Sequence, residues 1–248
     1  MELFWQKILT KENQTLNLKR MYQEQREKTE TMEKAVFLTL RKAILAGYLF
    51  PGEKLLESDL SEKIGISRTP IRAAILRLEK EQLVVTTPQK GATVIRLSSA
   101  QVEEGYILTG VLQGFATYLA FPHLNEQLVS EMEAIDLEMK SEQVLDRYAE
   151  WLRKNRAFHD ILVSNSGNST LIYMIRNNAG RLTRYWYLAC SLGLLKTSNL
   201  YHSRIIEEIK NGNAERLRSI VEEHFSQTGR DIRAYLDRTG RAVRSTLA

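Results

Sequence analysis

The chain has 248 residues, 43% hydrophobic and 26% charged, which is the composition of an ordinary globular protein long enough to form two compact domains. Its single cysteine, Cys190, excludes an intrachain disulfide framework, and no apolar run approaches the length of a membrane span. The N-terminus, with Glu2 and the mixed charges of Lys7, Lys11 and Glu12, lacks the basic-then-apolar order of a secretory signal, so we expect a cytoplasmic protein without a membrane partner.

The formal net charge of +5 is concentrated in one segment. Lys and Arg against Asp and Glu number 6 and 6 in residues 1–33, 11 and 6 in residues 34–97, and 18 and 18 in residues 98–248. Phosphate contacts supply much of the affinity of a protein for duplex DNA. A merely solvated basic face does not explain why the two flanking segments balance to zero, so the middle segment is a candidate DNA-binding module.

The first predicted elements precede that module and open it. Residues 1–33 contain neither Gly nor Pro, and their apolar residues are scattered. We expect an N-terminal extension that is partly helical, either docked on another surface or frayed. A helix from Ala35 to Gly47 follows and is stopped by residues 48–52, which include Pro51 and Gly52.

Residues 57–84 predict two short helices joined by a tight turn. Leu60 and Ile64 are spaced i, i+4, which gives the first helix one apolar face. Gly65 can end that helix in the left-handed conformation, and Ser67 is a natural N-cap for a second helix that starts at Arg68. The second helix then buries a stripe formed by Ile71, Ile75 and Leu78. The pattern is typical of a helix-turn-helix.

The exposed residues at the start of the second helix are the candidate DNA contacts. We expect side chains there to reach bases or nearby phosphates, because this end of a recognition helix enters the major groove. Two strand-like runs follow, joined by residues 88–91, and predict a hairpin that forms a wing beside the helices. The predicted contacts on the helix and the wing are Ser67 (to a phosphate), Arg68, Thr69, Arg72, Lys90 and Gly91. The predicted winged helix-turn-helix domain spans residues 34–97.

Residues 98–236 show helical stripes and no strand-like alternation, so we predict an all-α domain. Breaks at residues 121–123, 164–168 and 211–213 divide it into six or seven helices, which short connections would pack as an antiparallel bundle. Residues 237–248 are predicted to be a tail. The fold class is therefore mostly α, a winged helix-turn-helix followed by a helical bundle.

Three of the four histidines lie on apolar faces of these helices. His159, His202 and His224 are each flanked by apolar residues at helical spacing, so all three imidazoles are expected to point inward. His202 precedes Gly212 by ten residues and His224 follows it by twelve. In a helical hairpin the rise of about 1.5 Å per residue puts both rings level, roughly 15–18 Å from the turn. Hydrogen-bonded core histidines and a shared metal ion both remain open.

The run from Pro51 to Glu79, closed by residues 90–94, resembles the N-terminal domain of GntR-type bacterial transcription regulators. The helical remainder is similar to the FadR branch of that family, whose effector domain is called FCD. The resemblance covers about residues 34–236. It implies a regulator controlled by a small-molecule effector, with an organic acid as the usual ligand.

The resemblance also implies a divalent metal site and carries two departures from the family pattern. The family motif Asp-x-x-x-His matches Asn155 to His159, and its two later histidines match His202 and His224. Because an amide is a weaker ligand than a carboxylate, the site should be either weaker or more selective for nitrogen-preferring metals such as Zn²⁺ or Ni²⁺. Thr109 stands where the family commonly has an arginine that holds a carboxylate effector. Arg184, or its neighbour Arg181, could supply the missing positive charge, although arginines on a helix surface are more often solvated.

We therefore predict a sequence-specific DNA-binding transcription regulator, with repression as the favoured sign, and no catalytic residues. One winged helix covers only half of a palindromic operator, so a homodimer is expected. The alternative is a metal-dependent hydrolase that uses the three histidines. A catalytic metal usually needs a nearby carboxylate as general base, and Asp160 points about 100° away from His159 around the helix.

Overall fold

The computed structural model describes residues 11–45, 48–87, 91–145, 147–191 and 194–238. The chain divides into two compact units between Leu97 and Ser98. The first unit contains helices and a small sheet, in the order α1 (Lys11–Arg26), α2 (Met32–Leu45), β1 (Lys54–Leu55), α3 (Glu57–Ile64), α4 (Arg68–Lys80), β2 (Val84–Thr87) and β3 (Gly91–Val94). The predicted winged helix-turn-helix architecture is confirmed, and α2 begins three residues before the predicted start at Ala35.

The turn between α3 and α4 forms for local reasons. Gly65 ends α3 at φ 82°, a left-handed conformation that costs glycine little, and its N–H donates to the Ser61 carbonyl. The Ser61 hydroxyl donates to the carbonyl of Ile66 at 2.5 Å, which closes the turn from the other side. Ser67 is extended at φ −67° and ψ 162°, so α4 starts at Arg68 as predicted, although the serine side chain makes no capping hydrogen bond.

The three strands form an antiparallel sheet in the order β1-β3-β2. Thr93 on β3 pairs with Lys54 on one side and Val85 on the other. The hairpin of β2 and β3 is the predicted wing. Thr86 donates its backbone N–H to Glu79 Oε1 at 2.8 Å, so the last turn of α4 is tied to β2, the first strand of the wing.

Helix α1 packs against α2 and α3. Its Leu18 and Met21 are buried in the same apolar core as the helix-turn-helix residues. Glu24 accepts a hydrogen bond from Lys42 on α2 at 3.1 Å. Part of the extension predicted for residues 1–33 is therefore a helix docked on the first unit, while residues 1–10, including Trp5, lie outside the described residues.

The second unit is all-helical in the described residues. Its elements are α5 (Ser99–Ala120), a 3-10 turn (Phe121–His123), α6 (Glu126–Lys140), α7 (Glu142–Leu145), α8 (Tyr148–Ser164), α9 (Ser169–Ser191), α10 (Leu195–Asn211) and α11 (Ala214–Arg238). Ser98 and Gln101 form a capping box that starts α5. Gly212 ends α10 at φ 76° and reverses the chain into α11. Among the described helices, none combines the length and apolarity needed to cross a bilayer.

Helices α5 and α11 approach each other closely through glycines. A Cβ on Gly110 would lie 3.0 Å from the carbonyl oxygen of Glu222 and 3.1 Å from Cβ of Phe225. On α11, a Cβ on Gly229 would lie 2.7 Å from Cβ of Tyr106. Neither position has room for a side chain, so the two helices approach each other closely at these two points.

The last helix runs past the predicted start of the tail at residue 237. Leu236 is buried, and the Asp237 carboxylate accepts a hydrogen bond from the Ser99 hydroxyl at 2.5 Å. Arg233, one turn earlier, bridges Asp237 and Glu103 on α5. These contacts hold the last turn of α11 to the start of α5, which extends the helical unit to Arg238. Residues 239–248 lie outside the described residues.

Candidate DNA-binding surface and metal centre

The predicted DNA contacts of α4 lie together on its exposed face. Arg68, Thr69 and Arg72 are all exposed, whereas the opposite face of the helix is buried. The buried residues of α4 are Ile71, Ala74, Ile75 and Leu78. This division leaves two guanidinium groups and a hydroxyl at the N-terminal end of the second helix of the motif, the end that reads base edges in helix-turn-helix proteins.

The remaining predicted contacts lie beside that end or outside the described residues. Ser67 is exposed at the start of α4. Gly91 opens β3 at φ 81°, opposite Thr87, and is exposed. Lys90, predicted at the tip of the wing, lies outside the described residues.

Arg72 is held by a carboxylate on the other helix of the motif. Its Nε donates to Glu57 Oε1 at 2.9 Å, and its Nη2 donates to Glu57 Oε2 at 2.8 Å. The hydrogen bond from Arg72 lowers the pKa of Glu57, and the charge of Arg68 lowers it further. The reciprocal effect raises the pKa of Arg72. The sequence alone does not predict this pair, because the two residues are 15 positions apart and each resembles an ordinary surface charge.

The three predicted histidines converge in the core of the second unit. His159 on α8, His202 on α10 and His224 on α11 have ring centroids 5.2 to 5.4 Å apart. One ligand nitrogen from each ring can be chosen so that all three lie within 4.8 Å of one another. Zinc–nitrogen bonds are about 2.0–2.1 Å long, so the three nitrogens would need to move closer together to share one ion.

The chemistry of the cluster fits a metal ion. Both ring nitrogens of all three histidines are buried without a hydrogen-bond partner among the described residues. Burial lowers the pKa of His159 to about 4, and burial lowers the pKa values of His202 and His224 well below their usual value. The rings are therefore neutral at physiological pH, which is the form that binds metal.

An aromatic shell surrounds these rings. Phe158 lies 4.5 Å from His202, and Phe225 lies 5.1 Å from both His159 and His224, between ring centroids. Trp151 stacks on His202 and donates its indole N–H to Asn199. A shell of this kind limits the access of water to the rings and lowers the local dielectric constant.

Two polar side chains lie on the same helix faces as the histidines. Asn155, one turn before His159, is buried with its Oδ1 unpartnered among the described residues. Ser198, one turn before His202, has a buried hydroxyl that also lacks a hydrogen-bond partner among the described residues. Asn155 was predicted as a weak ligand. Ser198 was missed, and the only available signal was its i, i+4 spacing to His202.

Of the two predicted effector residues, Thr109 and Arg184, only Thr109 has a side chain among the described residues. The Thr109 hydroxyl donates to the Gly105 carbonyl at 2.7 Å and accepts from Asn178 Nδ2 at 2.9 Å. This pair links α5 to α9 where the family pattern has an arginine, and Asn178 was not predicted from the sequence. Arg181 and Arg184 belong to α9, and their side chains lie outside the described residues.

No carboxylate joins the histidine cluster among the described residues. Asp160, the nearest candidate in sequence, pairs with Arg156 at 3.5 Å on the other side of α8. A hydrolytic centre would need a general base beside the metal, so the arrangement gives the hydrolase alternative no support.

Comparison with known proteins identifies both units. Residues 32–94 match the family described as bacterial regulatory proteins, gntR family, and residues 105–227 match the FCD domain. The HTH-type transcriptional regulator YdhC of Bacillus subtilis is 28% identical over 202 residues, which is 80% of this chain and 89% of that protein. The HTH-type transcriptional repressor GlaR of Escherichia coli is 25% identical over 201 residues, 75% of this chain and 89% of that protein.

The fold of the chain is similar to that of solved regulators. The structure of McbR/YncC from Escherichia coli matches with a TM-score of 0.66 and 21% identity, covering 82% of this chain and 98% of that chain. At this level of identity the match concerns the fold alone. The relatives above are transcription regulators, and they support the same class for this chain.

Proposed function

Because the chain belongs to the GntR family of bacterial transcription regulators and carries an FCD domain, we propose that it binds one specific operator through the N-terminal end of α4 and its wing. The protein is a DNA-binding transcription regulator rather than an enzyme. The observation that carries the proposal is the exposed group Arg68, Thr69 and Arg72 at the start of a helix whose other face is buried. We also propose that it acts in the cytoplasm, where the chromosome lies.

Selection from a random duplex pool tests this proposal. The purified protein should enrich one sequence, and it should bind that duplex far more tightly than a scrambled duplex of the same composition, typically by about 10³-fold or more. Enrichment of no sequence at physiological salt would contradict the proposal. The selected duplex should be palindromic if two subunits bind together, since the symmetry of an operator mirrors that of the dimer.

A homodimer is supported by an apolar face on α5. Leu108, Val111, Phe115 and Tyr118 are each exposed and are spaced three, four and three residues apart. This spacing is the heptad seam by which helices pack on one another, and a two-fold axis can pair such a seam with itself. We propose that α5 contributes to the contact between two copies of the chain.

Light scattering tests the homodimer without DNA. We expect a mass of twice 28.6 kDa at micromolar concentration. Phe115→Asp should shift the mass towards that of one chain, because a charge buried in an apolar contact is costly. Leu137→Asp is the matched control, since Leu137 is an exposed leucine on α6 outside the seam. A monomeric wild-type protein would rule out a stable dimer.

We further propose that His159, His202 and His224 bind one divalent ion, Zn²⁺ or Ni²⁺, with Asn155 as a fourth, weak or water-bridged contact. The buried, unpartnered and neutral ring nitrogens support this assignment. When bound, the ion supplies a positive charge that can hold an acidic effector group. The three rings would hold the ion, and Trp151 and Phe158 pack against the ring of His202.

The effector is proposed to bind beside this cluster, with a carboxylate among the candidate groups. The unpartnered hydroxyl of Ser198 adds a polar contact on the His202 face. Thr109 and Arg184 remain candidates from the family pattern, although the Thr109 hydroxyl already bonds to Gly105 and Asn178. We propose repression as the mode of regulation, in keeping with the description of GlaR as a repressor.

A further inference from the structure

We propose that Glu57 is a positioning residue for DNA recognition, which fixes the guanidinium of Arg72 so that its outer edge can read a guanine. This inference rests on the proposed function, in which Arg72 is one of the groups that reach the operator. The observation behind it is the two-point contact between Glu57 on α3 and Arg72 on α4, both in the helix-turn-helix.

The geometry of the pair leaves the base-reading edge of Arg72 available. A guanidinium has five N–H groups, and the contact with Glu57 uses the one on Nε and one of the two on Nη2. The N–H groups on the outer edge, shared by Nη1 and Nη2, are not used by this contact. That outer edge is the one that can donate two parallel hydrogen bonds to O6 and N7 of guanine in the major groove.

Stability alone does not account for the contact. Arg72 has a side chain that is 68% exposed, and the Glu57 side chain is 30% exposed. Exposed ion pairs contribute little to the stability of a fold, because water screens them and ordering two long side chains opposes them. The same ordering is useful for recognition, because an arginine that is already fixed loses less conformational entropy when it meets a base.

The charge of Glu57 also discriminates between two ways of using Arg72. A carboxylate beside the guanidinium partly neutralises it, and the carboxylate would repel a phosphate that approached the same group. A guanine edge carries no full charge and meets no such repulsion. Glu57 therefore weakens the use of Arg72 as a general phosphate contact and leaves its use as a base-reading group, which raises specificity rather than overall affinity.

The position of Glu57 at the start of α3 favours the ionised form of its carboxylate. It is the first residue of α3, where the partial positive charge of a helix N-terminus stabilises an anion. The hydrogen bonds from Arg72 and the nearby charge of Arg68 favour the ionised form further. The positioning group is thus held by the backbone of one helix while it orients a side chain of the other.

The test uses the full-length protein, the duplex selected from a random pool, and duplexes in which each guanine of that sequence is replaced in turn. Dissociation constants are measured by fluorescence anisotropy for the wild type, Arg72→Ala, Glu57→Ala, Glu57→Gln and the double variant Glu57→Ala with Arg72→Ala. Glu81→Ala is the matched control. It removes one carboxylate and one ion pair of the same unit, that with Arg41 at 2.7 Å, at the far end of α4.

Arg72→Ala should abolish discrimination at one guanine. Glu57→Ala should reduce discrimination at that same guanine by about two- to twelvefold, the effect of releasing one ordered side chain, and should leave the other positions unchanged. Its affinity for a scrambled duplex should rise. Glu57→Gln should be intermediate, and the double variant should discriminate no worse than Arg72→Ala alone. Glu81→Ala should leave discrimination unchanged at every position.

Three results would overturn the inference. The first is unchanged or improved discrimination in Glu57→Ala, which would make Glu57 a competitor that Arg72 must leave. The second is an equal loss at all positions, shared by Glu81→Ala, which would indicate a general effect on the fold. The third is an Arg72→Ala variant that keeps full discrimination, which would show that Arg72 does not read a base. This result would contradict the proposed role of Arg72 itself, whereas the first two concern only the role of Glu57.

Discussion

The start of α4 and the histidine cluster treat ionisable groups in opposite ways. At the start of α4 the charges of Arg68 and Arg72 are exposed, and their side chains add little to the core. In the cluster, His159 and its two neighbours are buried, uncharged and without partners among the described residues. A residue of an exposed site can be replaced without loss of the fold. At a buried site, in contrast, binding of the ligand changes the free energy of unfolding. The following experiments can break or sharpen that contrast.

The largest expected effect is on the buried site, through removal of its ion. A ligand present at 100 times its dissociation constant stabilises the folded state by about 2.7 kcal/mol. Adding Zn²⁺ or Ni²⁺ to chelator-treated protein should therefore raise the melting temperature, and His202→Ala should abolish that rise. His123→Ala is the control, because His123 is exposed in the 3-10 turn and lies outside the cluster.

The affinity of the site gives a second readout. Asn155→Asp should lower the dissociation constant for the ion, because a carboxylate is a stronger ligand than an amide. Metal analysis after purification without chelators should find one ion per chain. Absence of a stoichiometric ion, together with no thermal shift on adding Zn²⁺ or Ni²⁺, would leave the cluster as an apo effector pocket or a set of core polar groups.

The exposed site should show a large loss of binding without a loss of stability. Arg72→Ala should remove about 1–3 kcal/mol of specific binding, or roughly five- to 150-fold, if the residue reads a base edge. The melting temperature should remain close to that of the wild type. Lys80→Ala, which removes one exposed charge from the last turn of the same helix, should have a much smaller effect. Equal binding losses in the two variants would indicate a purely electrostatic contribution.

The buried site should also make stability depend on pH. In the unfolded chain histidines titrate near pH 6.5, whereas burial lowers the pKa of His159 to about 4. As pH falls between these values, only the unfolded state gains the protons, so stability is present above pH 6.5 and is lost below it. The slope is at most about 1.4 kcal/mol per pH unit for each buried histidine.

Urea unfolding of chelator-treated protein on either side of about pH 6.5 measures this dependence. A free energy of unfolding that stays constant below pH 6.5 would show that the cluster does not remain neutral and buried.

The smallest effect concerns the wing. Lys90→Ala should weaken binding to all duplexes alike and should lower the slope of log affinity against log salt concentration by about one. Anisotropy titrations at several salt concentrations measure the slope for the selected and scrambled duplexes. Loss of binding to the selected duplex alone would instead assign Lys90 to base reading.

The sequence predicted those parts of the fold that depend on neighbouring residues. The end of α3 and the start of α4 follow from Gly65 and Ser67, which act within one turn of the chain. The level placement of His202 and His224 follows from the rise of a helix and the break at Gly212, and their ring centroids lie 5.2 Å apart. In both cases local geometry was enough.

Features that depend on how helices cross were not predictable in the same way. The docking of α1 through Leu18 and Met21 depends on a surface formed by α2 and α3, and the scattered apolar residues of the segment gave no regular stripe. The pairing of Thr109 with Asn178 joins residues 69 positions apart. Such contacts depend on packing angles that a linear pattern does not contain.

Because α5 and α11 approach each other closely, we expect the two helices to move together. At Gly110 and Gly229 the two helices lie so close that neither position has room for a side chain. His224 belongs to α11, and the exposed seam that includes Phe115 belongs to α5. We therefore expect a displacement of α11 at the histidine cluster to move α5 and its exposed seam as well.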